Sequence, residues 1–133
     1  MKALKKKFFI ILLFGFLLLI WNSAVYADPY SLSAPLWDTK NGPSVMLSNT
    51  EIAIYWLPSA SSALAGYYIY RCQGENCVLP SQPTFKVNDP SATFWGDATL
   101  NAGKYYRYTI AAYDKAGNVS HQSSVISANT TGN

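Results

Sequence analysis

Histidine, cysteine and charge are all scarce here: the sequence of 133 residues holds one histidine, two cysteines and only 13 % charged residues. One imidazole leaves little for nucleophilic catalysis, because a triad needs a histidine oriented by a carboxylate and facing a serine or cysteine. Ser120, Ser123 and Asp114 stand near His121, but no nucleophile-elbow turn frames them. The expectation is an exposed loop histidine and no enzyme. The seven acidic residues are scattered, most of them in turns, which argues against a carboxylate pair for glycoside cleavage. Calcium wants roughly six to eight oxygens, and no acidic cluster supplies them. Asp97 and Asp114 read instead as turn and cap carboxylates. No second Cys/His pair exists to complete a zinc site. Neither a metal nor a cofactor is expected.

Before the rest of the composition means anything, the first residues must be set aside. Lys2, Lys5, Lys6 and Lys7 precede an apolar run from Phe8 to Trp21, and Val25-Tyr26-Ala27 places small residues where a signal peptidase wants them. This is the pattern of a secretory signal peptide, residues 1–27, cleaved after Ala27. The run falls short of the ~20 apolar residues of a membrane span; an uncleaved anchor is the alternative. Four of the ten basic residues sit in this leader, leaving six Lys/Arg against seven Asp/Glu. The sequence pI of about 8.8 thus belongs to the leader. With no basic stripe remaining, nucleic acid is excluded as a partner. In an exported chain, Cys72 and Cys77 read as a disulfide closing a hairpin tip, since four intervening residues do not make a C-x-x-C redox site. The localisation expected is secreted or periplasmic.

What the chain has in quantity is aromatic residues, 15 %, set in alternating runs. From Leu100 to Ser120 a turn at Asn101-Ala102-Gly103 leads into a strand with Tyr106, Tyr108, Ile110 and Ala112 on one face. Tyr105, Arg107, Thr109 and Tyr113 occupy the other face, and a second turn follows from Asp114 to Asn118. Period-two alternation over that length predicts a half-buried central strand. Residues 28–43 read as an arm leading into a first strand at Ser44–Leu47. Glu51–Leu57 is a strand with Ile52, Ile54 and Trp56 inward. Ala65–Arg71 follows with Tyr67 and Ile69 inward, so Tyr68 and Tyr70 must point outward. Thr84–Val87 is a short edge strand, Thr93–Asp97 turns Trp95 in and Phe94 out, and Gln122–Thr130 closes the sheet with Ile126 and Ala128 inward. About seven short strands, even turn spacing and no helical period predict an all-β Greek-key sandwich over residues 44–130, with a polar tail at 131–133.

These pieces together resemble a fibronectin type III domain of the bacterial secreted kind. The resemblance rests on EIAIYW with Trp56, on AGYYIYR, and on TFWGDATLNAGKYYRYTIAAYDKAGNVS, in which Leu100, Gly103 and Tyr106 fit the spacing L-x-x-G-x-x-Y. It implies an immunoglobulin-like seven-strand sandwich with Trp56, Trp95, Leu100 and Tyr106 as structural residues. Tyr106 would be the tyrosine corner, its hydroxyl bonded to backbone a few residues upstream. No Arg-Gly-Asp occurs, so integrin-type adhesion is not implied. The cysteine pair is an addition to the family pattern.

In that topology Tyr68, Tyr70 and Arg107 share an outer face, with Tyr105 and Tyr113 at its ends. Tyrosine beside arginine can anchor a protein or stack on a sugar; equally, cross-strand tyrosines can simply stabilise the sheet. Trp37 either caps an open end of the sandwich or stands out as a ligand platform. Asn118-Val119-Ser120 and Asn129-Thr130-Thr131 are glycosylation acceptors only in a eukaryotic host. The expected function is an exported, non-catalytic module for protein–protein interaction or adhesion at the cell envelope or outside the cell. The alternatives are a small carbohydrate-binding protein or an envelope component without ligand.

Overall fold

A computed structural model of the chain describes residues 32–132. The leader, its cleavage point and the first residues of the arm lie outside the described residues. Within them every regular element is a strand: β1 (Ser44–Ser48), β2 (Glu51–Tyr55), β3 (Leu64–Gln73), β4 (Phe85–Val87), β5 (Phe94–Asp97), β6 (Tyr105–Asp114) and β7 (Ile126–Asn129). They pair into two antiparallel sheets, ordered β1-β2-β5 and β4-β3-β6-β7. The chain changes sheet after β2, after β4 and again after β5, the Greek-key route that lays one sheet over the other. The seven-strand all-β sandwich expected from alternation is the fold found.

Alternation also decides the core. Ile52, Ile54 and Trp56 point in from one sheet, and Tyr67, Ile69, Tyr106, Tyr108, Ile110 and Ala112 meet them from the other, all buried. Trp56 and Tyr67 touch across the gap with ring centroids 5.1 Å apart. Trp95 and Phe85 close one side of the sandwich, centroids 4.3 Å apart. Tyr106 Oη accepts a hydrogen bond from Asn101 N at 2.7 Å and donates to Gln73 Oε1 at 3.1 Å, so its ring is buried while its hydroxyl ties down the turn before β6. Leu100 is buried beside that turn.

Three local outcomes differ from the expectation. The arm is not merely a lead-in: Leu32 and Trp37 pack on the core, and Trp37 bridges Trp56 in antiparallel fashion. β7 begins at Ile126 rather than Gln122 because serine hydroxyls take the place of main-chain partners upstream. Ile110 N donates to Ser123 Oγ and Ala112 N to Ser120 Oγ, so residues 120–124 run beside β6 without completing a ladder. Asp97, read as a turn carboxylate, is fully buried instead. Its Oδ2 accepts Arg71 Nη1 at 2.6 Å and the Tyr108 hydroxyl at 3.0 Å, and its Oδ1 accepts the Thr99 hydroxyl at 2.8 Å. An unpaired buried carboxylate would be untenable, and these donors are what make its position possible.

Candidate functional site

On the outer face of the four-stranded sheet the chain bulges at Gly66, where a Cβ would strike the Val87 carbonyl oxygen and lie 2.7 Å from the Tyr113 hydroxyl. The missing side chain lets the Tyr113 ring lie over the strand and stack on Tyr68, centroids 4.5 Å apart. Lys86 Nζ caps the pair, 4.7 Å from the Tyr113 centroid, and the Tyr113 hydroxyl donates to Asn88 Oδ1 at 2.7 Å. Tyr70 follows along the same face, with Thr109 directly across from it on β6. Burial, with Tyr68 beside it, pushes the Tyr70 hydroxyl above its ordinary pKa. Arg107 spends one guanidinium nitrogen on the Cys77 carbonyl at 2.9 Å. The Cys72–Cys77 disulfide is formed and holds that hairpin tip against β6, where Gly74 N also donates to Tyr105 O.

The outer face of the three-stranded sheet is built otherwise. Val45, Ala53 and Gly96 lie side by side across β1, β2 and β5, and Tyr55 pairs with Phe94 in the next outward row. The Tyr55 and Phe94 rings stack with centroids 6.1 Å apart and planes 27° from parallel. Leu57 N donates to Leu36 O at 2.8 Å, which extends the face by two leucines. Leu36 is 66 % and Phe94 61 % exposed, with Leu57 and Val45 also open to solvent. No lysine or arginine occurs in β1, β2 or β5. The one carboxylate these strands send outward is Glu51, whose Oε1 lies 3.4 Å from where a Gly96 Cβ would stand.

No protein-family model matches the chain. Exoglucanase B of Cellulomonas fimi is 31 % identical over 86 residues, which are 64 % of this chain and 7 % of that enzyme. A β-1,2-glucanase from Parabacteroides distasonis superposes with a TM-score of 0.62 and 27 % identity over 76 % of this chain, but over 13 % of its own. The fibronectin type III domain of human fibronectin type III domain containing protein 3 superposes with a TM-score of 0.56 and 17 % identity, over 77 % of this chain and 89 % of the domain. The chain has the fibronectin type III fold. It spans only a small part of either glucanase and nearly the whole of the human domain.

In this fibronectin type III fold the residues expected to form a binding face are brought together, with Tyr68 and Arg107 half-buried and Tyr105 exposed at one end. Tyr68, Tyr70, Arg107 and Tyr113 do share the outer face of the four-stranded sheet. Yet Tyr70 is only 6 % and Tyr113 7 % exposed, which corrects the expectation of a free aromatic platform. Alternation told which way these side chains point; it could not tell that neighbours would cover them. Trp37 resolves the same way. It is buried, and its indole Nε1 donates to Ser124 O at 2.7 Å, so it caps the sandwich and offers no platform. His121 is exposed, and Ser120 Oγ donates to the His121 carbonyl rather than to a ring nitrogen. No group of three or more potential metal ligands occurs among the described residues.

Sequence reasoning passed over the Leu36–Tyr55–Phe94 face. Phe94 and Tyr55 were each legible as outward residues, but their contact depends on β2 pairing with β5, from which β3 and β4 separate it along the chain. The signal available was compositional: three strands without a basic residue.

Proposed function

We propose that the chain is an exported, non-catalytic fibronectin type III module that recognises a protein partner through the outer face of its three-stranded sheet. The observation that carries this reading is the exposure of Leu36, Leu57, Phe94 and Val45 together on one face. Isolated exposed apolar residues are ordinary, whereas a contiguous group with aromatic members marks interaction surfaces. A disulfide fits an oxidising compartment, and the leader pattern fits export. Support for a binding role over catalysis comes from the likeness to a compact domain type and from the share of the glucanases matched, a small piece of each.

Affinity capture from the host's envelope and secreted fractions tests the reading. The chain should retain a protein that the Phe94→Ser and Leu36→Ser variants lose and that Tyr68→Ala keeps. Retention by all variants would refute the assignment of the face. A second reading is favoured by one finding: both a sequence relative and a structural neighbour are glucanases. Under it the module holds a glucan. Electrophoresis through gels containing β-glucan would then slow the chain, and would slow Phe94→Ser less.

A further inference from the structure

Charge divides between the two sheets of the sandwich. The four-stranded sheet carries Arg71, Lys86 and Arg107, each already engaged: Arg71 with Asp97, Lys86 over two tyrosine rings, Arg107 with the Cys77 carbonyl. Basic residues are absent from β1, β2 and β5, and the carboxylate of Glu51 lies over Gly96 beside the Val45–Ala53 row. Among the described residues Glu51 takes part in no ion pair, the single pair there being Arg71–Asp97. At the other end of the face, Asp38 sits next to Tyr55, whose carbonyl accepts Asp38 N at 3.1 Å. An apolar strip of Val45, Tyr55, Phe94, Leu57 and Leu36 therefore has no cation on its strands and the unpaired carboxylate of Glu51 at one end, while the Asp38 carboxylate at the other end is bonded into its own turn by Asn41, with Lys40 beside it.

From this we infer that the face docks a protein segment whose apolar side chains flank a lysine or arginine, the cation landing on Glu51. This rests on the proposed function and adds the chemistry of the partner. Apolar burial supplies the affinity and the charge supplies the choice of partner, since a like charge opposed at an interface is strongly disfavoured. Anionic lipid is rejected by the same carboxylates, because membrane surfaces recruit basic rather than acidic faces. A glycan would want polar donors around the rings, and here leucine and valine surround them.

The test uses random peptides displayed on phage and selected on the full chain. Selected peptides are expected to carry a lysine or arginine amid apolar residues, and to lose at least tenfold in affinity on Glu51→Lys and on Phe94→Ser. Changing the peptide's basic residue to glutamate should restore binding to the Glu51→Lys chain. Both chain substitutions lie on the outer face of the sheet, and an unchanged thermal transition verifies folding. If Phe94→Ser weakens binding while Glu51→Lys does not, the charge rule is overturned and the docking face stands. If selected peptides bind Phe94→Ser as tightly as the parent, or none is recovered, the proposed function falls with it. A sedimenting mass of two chains that Phe94→Ser reduces to one would overturn the inference in favour of a second copy as occupant. So would binding to phosphatidylserine vesicles that Phe94→Ser abolishes, in favour of a membrane.

Discussion

Two tyrosines set the residue scale. Tyr106 and Tyr67 are both buried in the core, but the Tyr106 hydroxyl satisfies Asn101 N while the Tyr67 hydroxyl has no hydrogen-bond partner among the described residues. Removing a hydroxyl that completes a hydrogen bond leaves a donor stranded, whereas removing an unpaired one sheds only a desolvation cost. Tyr106→Phe should therefore lower stability by about 1–2 kcal/mol in urea unfolding, and Tyr67→Phe should leave it unchanged or raise it. Equal losses in both would contradict the hydrogen-bond assignment. Asp97 raises the stakes further. Burial and the neighbouring Asp97 charge hold the Tyr108 hydroxyl far above its ordinary pKa, so it stays a donor to that carboxylate throughout the working range. Asp97→Ala should cost about 3–5 kcal/mol, by stranding the Arg71 guanidinium, and the paired replacement Arg71→Met/Asp97→Leu should recover much of the loss. Asp114 gives a pH dependence. The Asn118 side-chain amide and backbone N–H hold its carboxyl below the ordinary range. A depressed folded-state pKa contributes stability that is present above about pH 4 and is lost as pH falls through the folded value. An NMR titration should place the Asp114 midpoint below that of Asp114 in the urea-unfolded chain; a midpoint at or above it would sink this account of the turn.

Among the elements, the β3–β6 pair organises the sheet, and it was the most readable part of the sequence because both strands alternate over the stretch from Tyr67 to Arg71 and its partners on β6, beyond the bulge at Gly66. Alternation gave the inward sets Ile52/Ile54/Trp56, Tyr67/Ile69 and Tyr106/Tyr108/Ile110/Ala112 correctly, all of them buried. It failed where side chains rather than periodicity settle the outcome. Nothing in the local pattern says that Ser120 and Ser123 would bond β6 and delay β7, or that Asp97 would meet Arg71 across the two sheets. Those depend on which strands become neighbours. The disulfide loop makes a prediction at this scale. A loop so short removes little denatured-state entropy, so Cys72→Ser/Cys77→Ser should lower stability by about 2 kcal/mol without unfolding the sandwich. Its sharper effect should be on Arg107, whose partner carbonyl belongs to the loop, and the Arg107 side-chain NMR signals should broaden on reduction. A chain that unfolds on reduction would show that the loop carries far more than a hairpin tip. Gly66 is the contrasting case, where one methyl group must displace either β4 or Tyr113; Gly66→Ala should disrupt the Tyr68–Tyr113 stack and lower the melting temperature markedly.

For the whole molecule, the two sheets differ in what their outer faces expose as well as in strand number. The four-stranded sheet stacks Tyr68 on Tyr113 under Lys86 and ties Arg107 to the Cys77 carbonyl. The three-stranded sheet leaves leucine, valine and phenylalanine in water with carboxylates at the margin. Of the aromatic face that the sequence points to, Tyr70 and Tyr113 are covered by the fold, and the more exposed apolar surface lies on the opposite side, visible only once β5 is placed beside β2. Which side meets a partner is the central claim, and amide hydrogen exchange of the chain with and without its captured partner measures it directly. The account predicts new protection at β1, β2, β5 and Leu36–Leu57, with β3, β4 and β6 unchanged. Protection confined to the Tyr68–Tyr113–Arg107 side would contradict it.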